Sequence, residues 1–141
     1  IPRVVGDSRY PAHLRDRAAT FEARAQEAYD ALSGIPGVTV NKPSGAFYVT
    51  VMFEDGVLNN RQTLPIDNPK AREIVEGLIP GVPNDSRFVY YLMGSKGICV
   101  VPLSGFCCKR DGFRITLLEC DDAKRKWTFQ ALADAIREYL Q

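Results

Sequence analysis

The chain has 141 residues, of which 45% are hydrophobic and 25% are charged, the composition of an ordinary soluble globular protein. Its net charge of +1 gives no electrostatic reason to expect nucleic-acid binding. No apolar run reaches the roughly 20 residues that a bilayer crossing needs, and the polar, proline-interrupted opening residues do not resemble a signal peptide. We therefore expect a single domain over residues 1–141 that binds neither nucleic acid nor a membrane.

Four cysteines occur, and their spacing bears on metal binding and compartment. Cys107 and Cys108 are adjacent, a geometry too strained for a common disulfide, and the only histidine, His13, lies far from all four. We expect no metal site, reduced thiols with Cys99 in the core, and a cytoplasmic protein. The chain opens on Ile1 rather than Met, so we expect a fragment of a longer protein.

The first predicted element is a long amphipathic helix over residues 11–33. Its apolar stripe recurs at steps of four and three residues: Leu14, Ala18, Phe21, Ala25, Ala28 and Leu32. "SGIPG" ends the helix, because proline cannot continue it. After a short extended piece and the turn "KPSG", residues 46–53 are apolar on both faces, which predicts a central strand.

The second half of the chain alternates turns with shorter elements. Residues 54–69 have the composition of a loop. Two short helices are predicted, over 69–79 with Asn68 as the cap and over 86–97 with Ser86 as the cap. A buried strand, a loop, a second strand and a terminal helix follow, over residues 98–102, 104–112, 113–119 and from 121 or 122 to 141.

This order predicts an α+β fold, in which helices pack on one side of a small, mostly antiparallel sheet. The long helix at 11–33 precedes an α/β sandwich formed by residues 34–141. The basic run "KRK" at 124–126 is expected to be the solvated start of the last helix rather than a binding patch.

One residue does not fit this simple pattern. In "FRITLLE", Phe113, Ile115 and Leu117 alternate with polar positions, and Arg114 lies among them. A guanidinium in a half-buried strand is costly unless an anion meets it. The anion is either a protein carboxylate, such as Asp111 or the less suitably placed Glu119, or a ligand.

Chemical motifs are otherwise scarce. No nucleophile elbow and no phosphate-binding glycine loop occur, and His13 lies on the predicted long helix, where a surface position is expected. We predict no catalytic residue in this chain. Taken without any family resemblance, the sequence indicates a soluble domain with one suggestive arginine.

The ordered blocks "SGAFYVTVMF", "GICVVPLSGF" and "GFRITLLE", with the amphipathic helix after them, resemble a known family. They are similar to the C-terminal small domain of class I/II (fold-type I) pyridoxal-phosphate-dependent aminotransferases, from about residue 11 to the end. The resemblance implies that Arg114 clasps the substrate carboxylate, that Phe47 flanks the substrate pocket unless it is plain core, and that Pro102 to Phe106 lie near the pocket mouth. A guanidinium suits this role because it offers a carboxylate two parallel N–H donors.

The resemblance also implies what the chain lacks. The family holds pyridoxal 5'-phosphate in its large domain, through a Schiff-base lysine whose motif does not occur here. It implies a parent transaminase that acts on an amino acid and a 2-oxo acid, binds the cofactor and forms a homodimer, with this fragment inactive and cofactor-free alone. The helix at 11–33 would then join the two domains. Two alternatives stay open: a stand-alone module that binds or senses a carboxylate metabolite, and a structural partner of a separate large-domain chain.

Overall fold

A computed structural model describes the whole chain except the side chain of Pro2. Its elements, in chain order, are α1 (Pro2–Val5), α2 (Tyr10–Leu32), β1 (Val38–Asn41), β2 (Tyr48–Phe53), α3 (Pro69–Leu78), α4 (Asn84–Lys96), β3 (Val101–Pro102), a 3-10 turn (Leu103–Phe106), β4 (Gly112–Thr116) and α5 (Asp122–Tyr139).

The four strands form one antiparallel sheet in the order β1-β2-β4-β3. β2 and β4 occupy the centre, with Val49 opposite Ile115 and Thr50 opposite Arg114. The predicted antiparallel sheet and the central position of the "AFYVTVMF" strand are confirmed.

One face of this sheet is covered and the other is open. Val49, Val51 and Phe53 of β2 and Phe113 and Ile115 of β4 are buried in a core that they share with α2, α4 and α5. The alternate residues of β2 are half-buried, and in β4 Arg114 is half-buried and Thr116 is exposed, whereas Gly112 is buried. The α+β arrangement with helices on one side is therefore confirmed, whereas the apolar outer residues of β2 are not fully buried.

The long N-terminal helix is present, but only its second half is packed. Ala25, Ala28 and Leu32 are buried, whereas Leu14 is 49% exposed. The whole stretch from residue 11 to residue 19 is exposed. The helix packs against α5, β1 and β2, and its buried residues all lie in its C-terminal half, so the apolar stripe extends beyond the covered part.

The capping predictions give a mixed result. The Asn68 side chain accepts hydrogen bonds from the Lys70 and Ala71 amides, and Asp121 caps α5. α4, however, begins at Asn84 and has no side-chain cap, so the prediction for Ser86 is wrong. Pro83 lies just before this helix, and its fixed φ suits a helix start without a capping side chain.

Three further expectations concern the cysteines, the strand predicted at residues 98–102 and membrane-spanning helices. Cys99 is exposed rather than in the core, and all four cysteines are free. The predicted buried strand shortens to β3, because only residues 101 and 102 pair with β4. Within the part of the chain that the structure describes, no helix is long and apolar enough to cross a membrane.

Candidate functional site

Arg114 lies at the centre of the open face of the sheet. β4 places it opposite Thr50 of β2 and opposite Val101 of β3, and the side chain is half-exposed. Its guanidinium carbon Cζ lies 4.2 Å from the ring centroid of Tyr48 and 4.2 Å from that of Phe106. Two aromatic rings therefore flank the guanidinium at distances typical of cation–π contacts.

No protein carboxylate neutralises this arginine among the described residues. Glu119 instead pairs with Lys124 at 2.9 Å, and that hydrogen bond lowers the pKa of the Glu119 carboxyl. Burial raises the pKa of the Asp111 carboxyl and the charge of Asp85 raises it further, the opposite of what an adjacent guanidinium would do. Arg114 Nε is buried and has no hydrogen-bond partner among these residues.

A second arginine shows what an internally neutralised guanidinium looks like in this chain. The Arg125 side chain is 5% exposed, its Nε donates to Glu27 Oε2 at 2.8 Å, and its Nη1 donates to Asp122 Oδ1 at 2.9 Å. The hydrogen bond to Glu27 raises the pKa of Arg125. The "KRK" run is therefore not simply solvated, because its middle residue joins α5 to α2. Arg114 has no carboxylate partner of this sort among the described residues, so its charge is not neutralised as that of Arg125 is.

The turn that carries Phe106 is anchored by a buried acid. Asp85, at the start of α4, is fully buried, and its Oδ2 accepts a hydrogen bond from the Ser104 amide at 2.8 Å. Its Oδ1 accepts from Ser104 Oγ at 2.6 Å, and Ser86 Oγ lies 3.1 Å from the same hydroxyl. Asp85 thus fixes both the backbone and the side chain of the residue that lies two positions before Phe106.

The sequence reading missed Asp85, although a signal was present. Asp85 lies three, four and seven positions before Phe88, Val89 and Leu92, which are all buried. It therefore falls on the apolar stripe of α4, where a carboxylate stands out.

Phe47 lies close to this group but does not contact Arg114 in the described contacts. Its ring centroid is 4.5 Å from that of Tyr48 and 6.0 Å from that of Phe21 on α2. Phe47 also borders a cleft of about 430 Å³ between α2 and residues 42–47, which Arg114 does not line. The structure connects the two predicted site residues through Tyr48 rather than bringing them into one cavity.

The chain alone does not fit the requirements of pyridoxal phosphate. A Schiff-base lysine needs a shielded ammonium group, and every lysine here is exposed or half-exposed. Lys42 reaches Gln26, while Lys96 and Lys124 pair with carboxylates. The described residues contain no cluster of metal ligands either.

Sequence comparisons find that the chain is similar to part of two aminotransferases. It is 47% identical over 141 residues to an uncharacterized aminotransferase of Methanocaldococcus jannaschii, which covers 100% of this chain and 33% of that protein. It is 32% identical over 128 residues to a "probable alanine aminotransferase, mitochondrial" of Dictyostelium discoideum, covering 86% of this chain and 21% of that protein. No family profile matches the sequence.

Structural comparison agrees. The fold matches an aspartate aminotransferase from Rhizobium meliloti with a TM-score of 0.66 and 26% identity, over 89% of this chain and 27% of that one. An aminotransferase from Escherichia coli matches in fold with a TM-score of 0.60 and 19% identity, over 86% of this chain and 25% of that one. The chain thus spans about a third or less of the length of the relatives that it matches.

Proposed function

We propose that this chain binds the carboxylate of an amino-acid or 2-oxo-acid substrate through Arg114. The relatives support a domain-sized part of an aminotransferase, consistent with its C-terminal domain. The observation that carries this proposal is the guanidinium flanked by Tyr48 and Phe106, on an open sheet face, without a carboxylate partner among the described residues.

The geometry suits an anion that presents two oxygens side by side, as a carboxylate does, better than a neutral ligand. Aromatic rings that cover the flat surfaces of a guanidinium leave its N–H edges as the places where a ligand can bind. A carboxylate meets such an edge with two parallel charge-assisted hydrogen bonds. Because the rings also displace water, the pair forms in a less polar setting than bulk solvent, where the charges attract more strongly.

The rest of the enzyme would complete the site. Pyridoxal phosphate, when bound in the complete protein, supplies the electron sink for moving an amino group between an amino acid and a 2-oxo acid. The exposed first half of α2 is where we expect the preceding large domain to continue, so that the helix at 11–33 joins it to residues 34–141. Phe47 would border the substrate side of this junction. We expect the parent to be a cytoplasmic homodimer and this chain to be inactive alone.

Replacing Arg114 with lysine in the complete protein tests the proposal. Losing a bidentate, partly desolvated ion pair costs on the order of 2–5 kcal/mol, which lowers kcat/KM for α-amino acids roughly 30- to several-thousand-fold. Amines without a carboxylate should not suffer this loss. Thermal stability should hardly change, because the anion of Arg114 arrives only with the substrate.

Arg137→Lys is the matched control, since Arg137 is an exposed arginine that pairs with Asp134 on α5. This variant should leave both substrate classes unaffected. An equal loss for amines and amino acids in Arg114→Lys, or unfolding of that variant, would contradict the carboxylate role.

A stand-alone carboxylate-binding module is the second candidate, because Arg114, Tyr48 and Phe106 all come from this chain. The length of the encoding reading frame separates the two. A frame that encodes a cofactor-binding region supports the enzyme, whereas a frame limited to these residues, with carboxylate binding measured by calorimetry, supports the module.

A further inference from the structure

Asp85 is an unusual residue for its location. It is fully buried on the apolar stripe of α4, beside Phe88 and Leu92, which are also fully buried. No cation pairs with it among the residues that the structure describes. An apolar side chain would cost less at such a position unless the carboxylate has a specific task.

The hydrogen bonds of Asp85 identify that task. Both carboxylate oxygens bind Ser104, one through its amide and one through its hydroxyl. Two bonds to one residue fix its orientation as well as its position. Ser86 adds a third contact at the same hydroxyl. The acid of α4 therefore clamps the 103–106 turn.

The far end of this turn is tied back to its start by the backbone: the Cys107 amide donates to Ser104 O at 3.2 Å and the Cys108 amide donates to Leu103 O at 3.4 Å. Cys107, which ends it, has φ 58°, a left-handed conformation that a residue with a side chain rarely adopts. Phe106 is 47% exposed, and its one aromatic or cation–π contact in the described structure is with Arg114. The ring therefore owes its place to the backbone of the turn rather than to core packing.

From these contacts we infer that Asp85 is a positioning residue for the carboxylate site: through Ser104 it holds the Phe106 ring against the Arg114 guanidinium. The inference rests on the proposed function of Arg114. With the ring in place, the guanidinium has fewer orientations to lose when a carboxylate binds, so the substrate is held more tightly. Asp85 itself touches no substrate.

Three variants of the complete protein test this inference. Phe106→Leu and Asp85→Ala should each raise KM for α-amino acids, and the inhibition constant of propionate, on the order of 3- to 10-fold, the worth of one cation–π contact. Turnover number, and the KM of an amine without a carboxylate, should stay within about twofold of the original. Asp85→Asn should restore most of the affinity, because its amide oxygen can accept from the Ser104 amide while its NH₂ group donates to Ser104 Oγ.

The controls are Asp134→Ala, an exposed aspartate on α5, and Trp127→Leu, an exposed aromatic with no described contact to Arg114. Neither should change any of these constants.

The outcomes separate this inference from the function on which it rests. If Arg114→Lys weakens carboxylate binding but Phe106→Leu does not, Asp85 is only a structural residue and the inference is wrong. If Asp85→Ala fails to fold, the carboxylate affinities of Phe106→Leu and Asp85→Asn test the inference instead. An Asp85→Asn variant that folds but binds carboxylates as poorly as Phe106→Leu also overturns it. If Arg114→Lys itself leaves carboxylate binding unchanged, the proposed function fails first.

Discussion

Replacing Arg125 with methionine, which has similar length but no charge, should destabilise the fold by about 2 kcal/mol. The arginine side chain is 5% exposed and donates to Glu27 at 2.8 Å and 3.3 Å and to Asp122 at 2.9 Å. Removing one partner of a fully buried ion pair costs about 3–5 kcal/mol. Here the cost is lower, because the Glu27 side chain is 33% exposed and that of Asp122 is 78% exposed, so both carboxylates can regain water.

Equilibrium unfolding in urea measures the effect directly. Trp127, the single tryptophan of the chain, lies on α5 two positions after Arg125 and reports its unfolding by fluorescence. With the usual dependence of stability on urea, the midpoint should fall by about 1 M. The control Arg137→Met removes an exposed pair with Asp134 and should cost less than about 0.5 kcal/mol.

A double variant separates the ion pair from simple packing. In Arg125→Met/Glu27→Met no carboxylate of α2 loses its partner, so part of the stability should return. The reasoning would be refuted if Arg125→Met had the same midpoint as the original, or if the double variant were less stable than the two single changes predict by addition.

Two further predictions concern the core. Burial raises the pKa of the Tyr139 hydroxyl to about 12, so the folded state keeps a proton that the unfolded chain loses near its usual value of about 10, and stability must fall as pH rises above that value. Tyr139→Phe should reduce this alkaline loss in urea unfolding at pH 9 and pH 11, and an unchanged alkaline slope would contradict it. The cost at pH 7 should be small, since nearby Arg87 opposes only part of the pKa rise and the hydroxyl makes no hydrogen bond of standard geometry among the described residues. Gly112→Ala should destabilise by about 1–3 kcal/mol, because the new Cβ would overlap Val51 O across the strand pair, whereas Gly77→Ala meets open space and serves as the control. Equal midpoints for the two alanine variants would count against this close approach.

Local periodicity predicted the four longer helices, and the order of the elements predicted the antiparallel sheet, whereas the four-residue α1 was not predicted. The alternation in "FRITLLE" correctly placed Phe113 and Ile115 inside and Arg114 on the other face. It could not identify the rings beside Arg114, because Tyr48 and Phe106 come from distant parts of the chain and meet there only through the tertiary fold. The role of Arg114 itself remains a prediction.

Two of the three buried charged residues, Asp85 and Arg125, were missed for the same reason. Arg125 and Asp85 are each on the apolar stripe of their own helix, four positions before Phe129 and three before Phe88, and both are buried. They were missed because a charged side chain was taken to be exposed to solvent. A charged residue in register with buried positions is better interpreted as a residue with a polar partner on another element, which Glu27 and Ser104 supply here.

The pairing of β2 with β4 has a consequence for how the molecule acquires its site. These central strands exchange hydrogen bonds across the sheet, although the whole stretch from residue 54 to residue 111 separates them in the chain. Bringing the two ends of so long a loop together lowers the chain entropy before the contacts between β2 and β4 can form and offset that loss. Folds rich in such distant pairings therefore form slowly. Tyr48 and Arg114 come into contact only when β2 pairs with β4. Partly folded chains with intact helices but an unjoined sheet will therefore lack the Tyr48–Arg114 arrangement on which the proposed carboxylate site depends, and this arrangement will appear together with the completed sheet.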